Sequence, residues 1–245
     1  MVAYVRPGGA PSRDIPLART YNLRDLGGYA VAGGGRVRWR TVLRGAGLHR
    51  LGGDDAELVR GLGVRTAVDL RTEAEVAARG TWPAELLGGE VRRLPLIPRL
   101  WPDDEVPPGR SAEEVLAARY DEMLERGGAA IAGLFGLLAE RERLPLVFFC
   151  TAGKDRTGIV AALLLEALGV ARADVVADYA LSAERVARMA RRSGRPLPAL
   201  GIAPPAVMEA FLARVDRRHG SVRGLLRELG VGDDLLATVR ANLVA

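Results

Sequence analysis

The sequence is poor in the residues that build most covalent and metal-bound sites. In 245 residues it holds one cysteine, Cys150, one lysine, Lys154, and two histidines, His49 and His219. A single cysteine excludes an intrachain disulfide and any thiolate-caged metal, and two histidines leave little for an imidazole zinc site. Aromatic residues make up only 5% of the chain. Long apolar runs are missing too. The longest, AAIAGLFGLLA from Ala129, falls short of the roughly 18 residues that a membrane span requires. The opening MVAYVRPGGAPSRDIPL lacks the continuous apolar block of a secretory leader. The expectation is a cytoplasmic protein without integral membrane association.

What is present suits a globular fold: 49% apolar and 27% charged residues, enough chain for one large core. The net charge is +5, and 34 of the 35 basic residues are arginine, scattered along the chain. That scatter, beside abundant Ala, Gly, Val and Leu, reads as coding bias. No nucleic-acid-binding motif accompanies it, so no nucleic-acid partner is expected.

Residues 1–18 read as an irregular N-terminal tail, and 19–245 as a single domain. Tyr29–Gly45 has two β-leaning segments around Gly33-Gly34-Gly35, a hairpin pattern. Helix and strand signals then alternate: a helix from Asp54 to Gly63, a strand from Val64 to Leu70, a helix over TEAEVAAR and a strand from Val91. Two helices follow Ser111, split near Gly127-Gly128. LPLVFF (Leu144–Phe149) has strand length, and everything after Arg156 is helical. This order predicts an α/β fold, a central mostly parallel sheet flanked by helices, with a helical C-terminal third.

The chemistry gathers where the strand LPLVFF meets the helix RTGIVAALLLEAL. Between them lies Cys150-Thr151-Ala152-Gly153-Lys154-Asp155-Arg156-Thr157. The C-x5-R spacing alone is weak, since about one position in seven of this chain is arginine. The strand–loop–helix setting strengthens it, because successive backbone N–H groups and a helix N-terminus converge there into an anion cradle. A thiol at its base has its anion stabilised by the same dipoles. Arg156 brings a planar fork that matches two phosphate oxygens, and Thr157 a hydroxyl for the thiolate. A nucleophile, a cradle and a bidentate cation suffice for phosphoryl transfer through a cysteinyl-phosphate. A Walker-type phosphate loop is excluded, because Gly153-Lys154 is followed by Asp155 rather than Ser or Thr.

CTAGKDRTG resembles the signature loop of the protein tyrosine phosphatases, specifically the atypical bacterial tyrosine/lipid phosphatases with HC-x-AGKDRTG. YNLRDLGGY (from Tyr21), VLRGAGLHRL (from Val42), VDLRTEAEV (from Val68) and GSVRGLLRELGV (from Gly220) resemble that family's N-[FL]-RDLGG, [FY]RS-x-x-L, DLR-x-x-x-E and C-terminal segments, in order. The resemblance implies a phosphatase-like fold with no metal or organic cofactor. It also implies substrates among phosphotyrosine and phosphoserine/threonine proteins or phosphoinositides. Cys150 carries over as nucleophile, Arg156 as phosphate clamp, and Thr151, Ala152, Gly153, Lys154 and Asp155 as the cradle leading to it. The sequence assigns no oligomeric state.

Some choices stay open at this level. The resemblance points to Asp155 as general acid, while Trp101-Pro102-Asp103 reproduces the acid-loop tripeptide of the better-known tyrosine phosphatases. Phe149 stands where the family usually has histidine, which favours an alternative reading as a phospho-ligand binding module without turnover. Lys154 is expected to touch substrate phosphate. Asp69 and Arg71 form either the rim of the site or a buried ion pair; Asn22, Arg24 and Asp25 are expected to brace it. The helices after Ser111 serve either as a lid or as core.

Overall fold

A computed structural model of the chain describes residues 12–49, 51–101, 106–194 and 196–245. Five strands form one sheet in the order β1-β2-β5-β3-β4: β1 Arg24–Asp25, β2 Val42–Gly45, β3 Thr66–Asp69, β4 Glu90–Arg93 and β5 Leu146–Phe149. Only β1 runs antiparallel, on the edge beside β2. The latest strand in sequence, β5, is inserted between β2 and β3, with Gly45, Phe149 and Asp69 in one row at their carboxyl ends. In open parallel sheets the crevice for a ligand lies outside such carboxyl ends, where chain order is interrupted. Cys150 follows immediately.

β5 is apolar throughout because both its faces are covered. Leu146 and Phe148 enter one core, Val147 and Phe149 the other. The larger core is built from α4 Ala112–Ala139, α5 Asp155–Leu168, α6 Arg172–Ser193, α7 Pro205–His219, α8 Val222–Glu228 and α9 Asp233–Leu243. The smaller lies under α1 Asp54–Arg60 and α3 Ala84–Leu87. Helix α2, Glu73–Arg79, follows β3. Ile15 and Leu17, from the segment expected to be an irregular tail, are buried in the smaller core, and Asp14 bridges Arg24. Among the described residues no helix is long and apolar enough to cross a membrane.

One expectation is corrected and another is extended. The helical segment after Ser111 is one helix of 28 residues, capped by a Ser111–Glu114 capping box. Gly127 does not break it. A Cβ there would lie 2.6 Å from Leu96 Cδ1 and 2.8 Å from Leu96 O, so glycine lets the helix backbone close on the chain after β4. The hairpin expected around Gly33-Gly34-Gly35 forms, with Ala30 bridging Arg36, Gly28 N–H donating to Val37 O and Val37 N–H to Tyr29 O. Its second arm pairs with the chain end as well, where Arg36 N–H donates to Ala245 O and Arg38 N–H to Leu243 O.

One tie between sheet and helices is ionic. Asp178 on α6 accepts from Arg24 Nε at 2.9 Å and Arg44 Nη1 at 2.6 Å, all three side chains at most 1% exposed. Burial alone would raise the Asp178 carboxyl, but the two guanidinium charges and their hydrogen bonds hold it well below the ordinary carboxylate range. Burial and the neighbouring Arg24 push Arg44 down to about 10, with Asp178 opposing them. Removing the shared carboxylate leaves two buried like charges unpaired. Asp178→Ala is therefore expected to cost about 3–5 kcal/mol in urea unfolding; a loss below about 1 kcal/mol would remove the cluster from the list of structural supports.

Candidate active site

β5 ends at Phe149, and the chain turns through Cys150–Lys154 before α5 starts at Asp155. Cys150 is a free thiol, 2% exposed. The loop is held from behind by its carbonyls. Thr151 O accepts from Gly47 N–H at 3.2 Å. Ala152 O accepts from Asn22 Nδ2 at 3.0 Å, and Gly153 O from Asn22 Nδ2 and Arg44 Nη2, both at 2.8 Å. In a trans peptide the N–H points opposite to the C=O. The N–H groups of Ala152, Gly153 and Lys154 therefore point to the open side of the loop, and none of them donates to another described residue. This is the donor arrangement of an anion cradle, completed by the N-terminus of α5.

Two residues make that turn sterically possible. Gly153 has φ +64°, and a Cβ on it would lie 2.4 Å from Gly45 C and 2.5 Å from Ala46 N. Asn22 also sits at positive φ, 61°, a conformation asparagine tolerates better than most side chains. Its amide thereby reaches the loop while its Oδ1 accepts from Arg24 Nη1. The expected brace is therefore a chain of contacts from Asp178 through Arg24 and Asn22 to the loop. Asp25 serves the neighbouring turn, accepting from Gly27 N–H and Arg40 N–H.

Arg156 lies in the first turn of α5, where Glu75 of α2 fixes it end-on: Nη1 to Oε2 at 2.6 Å and Nη2 to Oε1 at 2.9 Å. Glu75 also closes the capping box of α2 with Thr72 and accepts from Thr151 Oγ1. Burial opposes its ionisation, yet the Arg156 hydrogen bonds and charge, with Thr151 and Thr72, hold its carboxyl down at about 2. Burial likewise works against the Arg156 charge; Glu75 and the negative charges of Cys150 and Asp155 more than offset it. Arg156 Nε–H donates to no described residue, so one edge of the fork remains for an oxyanion.

Asp155, the first residue of α5, accepts from Tyr120 Oη at 2.7 Å and pairs with Lys154 Nζ at 2.9 Å. Tyr120 is in turn hydrogen-bonded to Tyr179 at 2.7 Å. Burial and the Asp155 charge raise both tyrosines well above the ordinary phenol range. Lys154, expected at the substrate phosphate, is 2% exposed and gives its remaining donors to Leu200 O at 2.5 Å and Ile202 O at 2.8 Å. All three ammonium hydrogens thus have protein acceptors, which ties the loop to the α6–α7 connection. Thr157 Oγ1 is buried and has no hydrogen-bond partner. Asp103 lies outside the described residues.

Phe149 points into the smaller core, with the Arg71 guanidinium 5.7 Å from its ring centroid. Asp69 and Arg71 are a fully buried pair, Nη2 to Oδ2 at 2.6 Å and Nε to Oδ1 at 2.9 Å, rather than an exposed rim. Helix α4 belongs to the core, and its inward Tyr120 is what reaches the loop. Among the described residues no three His, Cys, Asp or Glu side chains are grouped so as to hold a metal. The assembled groups, a buried thiol, free N–H donors, a fixed guanidinium and an adjacent carboxyl, suit nucleophilic displacement at a tetrahedral oxyanion.

The profile described as the tyrosine phosphatase family matches residues 15–245. This chain belongs to the tyrosine phosphatase family. It is similar to a candidate tyrosine-protein phosphatase of Cupriavidus necator, 33% identical over 233 residues (88% of this chain, 83% of the relative). It is 28% identical over 228 residues to a tyrosine-protein phosphatase of Nostoc commune, covering 83% of this chain and 74% of that one. It is also 30% identical over 283 residues to the triple specificity protein phosphatase PtpB of Mycobacterium tuberculosis, covering 95% and 99% respectively.

In this phosphatase the sequence reading missed Glu75, Arg44, Asp178, Tyr120 and Tyr179. Glu75 had a signal, since it is the final position of the DLR-x-x-x-E segment; the two tyrosines lie in unremarkable helical stretches. Tyr21, at the start of YNLRDLGGY, also belongs here: burial and the Cys150 charge push its phenol up to about 12. Two consequences are measurable. The Glu75 carboxyl is held below its unfolded value, so its contribution to stability is complete above about pH 4.5 and disappears as pH falls towards 2. Urea midpoints measured between pH 5 and pH 2 should therefore fall more steeply for the native chain than for Glu75→Gln; parallel slopes would contradict the pairing. Gly153→Ala should abolish the loop geometry, read as loss of phosphate or vanadate binding with the secondary structure retained. Unchanged binding would contradict the close contact at Gly45.

Proposed function

We propose that this chain is a cysteine-dependent phosphomonoesterase acting on phosphotyrosine, with phosphoserine/threonine and phosphoinositide headgroups as further candidate substrates. The observation that carries the reading is the loop itself: Cys150 at the floor, three N–H groups turned inward by carbonyl contacts to Gly47, Asn22 and Arg44, and Arg156 fixed by Glu75.

In the first step the Cys150 sulfur attacks phosphorus, an S–P bond forms and the P–O bond to the alcohol breaks. The N–H groups of Ala152, Gly153 and Lys154 and the Arg156 Nε–H receive the equatorial oxygens, whose charge spreads in the transition state. Asp155, beside Arg156, gives a proton to the leaving oxygen. In the second step water attacks phosphorus, Asp155 takes the water proton, and sulfur departs with the Thr157 hydroxyl as its hydrogen-bond donor. Tyr120 and Lys154 both donate to Asp155 in the resting state. Proton donation from Asp155 to the leaving oxygen therefore requires these contacts to rearrange around the substrate.

The rival reading, a module that grips phosphorylated ligands without turnover, takes its support from Phe149 in place of histidine. Hydrolysis of 4-nitrophenyl phosphate separates the two. Turnover reduced about a thousandfold or more by Cys150→Ser, and unaffected by EDTA, is the expected result. Equal and negligible rates for both proteins would favour the module. The identity of the acid is tested with two leaving groups. Asp155→Asn should slow hydrolysis of a phosphotyrosine peptide about a hundredfold, and that of 4-nitrophenyl phosphate, whose leaving group needs little protonation, much less. If Asp103→Asn gives that pattern instead, the role moves to Asp103. Side-by-side rates on phosphotyrosine, phosphoserine and phosphoinositide rank the substrate classes.

A further inference from the structure

A second concave site lies at the other end of the sheet. Thr41, Arg65 and Pro145, the residues immediately before the parallel strands β2, β3 and β5, line an open cleft of about 300 Å³. Strands of four residues rising about 3.3 Å each place it roughly 15 Å from Cys150. Four arginines from three segments line it: Arg38 and Arg40 before β2, Arg65 before β3, and Arg141 in the turn before β5, with Arg40 half-buried and the other three exposed.

None of the four has a carboxylate within ion-pairing distance among the described residues. The neighbouring Arg143 shows the contrast: it engages both nearby acids, Glu90 at 2.7 Å and Glu140 at 2.5 Å. Of the four, only Arg65 makes a side-chain hydrogen bond, to the Glu142 carbonyl at 3.3 Å. The other polar lining is already committed: Asn242 Nδ2 donates to Leu138 O and Ala139 O, and Thr41 Oγ1 to Trp39 O. Like charges gathered in one concavity without counter-charge repel one another, and an anion relieves that repulsion.

The backbone carries a second, independent sign. Arg40 and Asn22 are the two non-glycine residues with positive φ among the described residues. Asn22 holds the Cys150 loop. Arg40, at φ 56°, is kept in place by Asp25 Oδ2 accepting its N–H at 2.7 Å, and it lines the cleft.

We propose that this cleft is a binding site for a small anion carrying two or more phosphate groups, separate from the Cys150 loop. Four guanidinium forks match the oxygens of successive phosphates. The volume fits a short oligophosphate, and the lining has no aromatic side chain on which a nucleobase would stack. The phosphates are therefore the part recognised.

Calorimetric titration of the full chain with inorganic tripolyphosphate tests the site. With the Cys150 loop first saturated with vanadate, the expected result is one-to-one binding, weakened at least tenfold in Arg65→Glu/Arg141→Glu at an unchanged thermal midpoint. Arg217→Glu/Arg218→Glu makes the same change in net charge at exposed positions of α7 and should weaken binding less than twofold. Tripolyphosphate should bind at least as tightly as ATP. No binding to the native chain, equal weakening in the two double variants, or tighter binding of ATP would each overturn the proposal. Where the first double variant lowers the thermal midpoint, Arg38→Gln/Arg141→Gln replaces it and must give the same tenfold loss.

Discussion

Asp178 sits between Arg24 and Arg44 with no access to water, and the position of the Cys150 loop follows from that contact. Two guanidinium groups buried under one sheet would repel each other and be expelled; one carboxylate from α6 holds both. Fixed in this way, Arg44 directs its second nitrogen at Gly153 O, and Arg24 fixes the amide of Asn22, which takes Ala152 O and Gly153 O. The loop donors are thus aimed by contacts made to the opposite ends of their own peptides. An anion cradle whose dipoles are set before ligand arrives loses little free energy to reorganisation when charge develops there.

A second carboxylate organises the other side. Glu75 caps α2, accepts from Thr151 and fixes Arg156. One residue therefore links the start of a helix after β3 to the guanidinium at the start of α5, across the row of strand ends. Because both Nη groups point at Glu75, the Nε edge is the one left for ligand. Orientation in this site thus comes from buried charge pairs, and those pairs hold only while both partners are ionised.

Much of this was legible in the sequence. The alternation of helix and strand signals gave the parallel sheet, and Cys150, Arg156 and the intervening glycine gave the loop, because local patterns suffice for both. Asn22 and Arg24 were read as a brace, and Asp69 with Arg71 as one of two alternatives that the structure decides for the buried pair. The failures have a common cause. Gly127 reads locally as a helix break, but its real constraint is Leu96, which is 31 positions away. The hairpin after Tyr29 forms as its local pattern indicates, but nothing local shows that its second arm also pairs with Leu243 and Ala245. Lys154 reads as an exposed loop charge, and its acceptors, Leu200 and Ile202, are carbonyls that carry no side-chain signal. Asp178 and Tyr120 are typical helix residues until the fold brings them to the loop.

The saturated ammonium of Lys154 reaches beyond the site itself. It is the only lysine in the chain, and its nitrogen lies inside the protein with three acceptors around it. The folded surface therefore offers no side-chain amine for acylation, reductive methylation or amine-directed cross-linking. Chemistry aimed at guanidinium or carboxylate groups is what can map it, and acquisition of amine reactivity would report directly that the loop has come away from the α6–α7 connection.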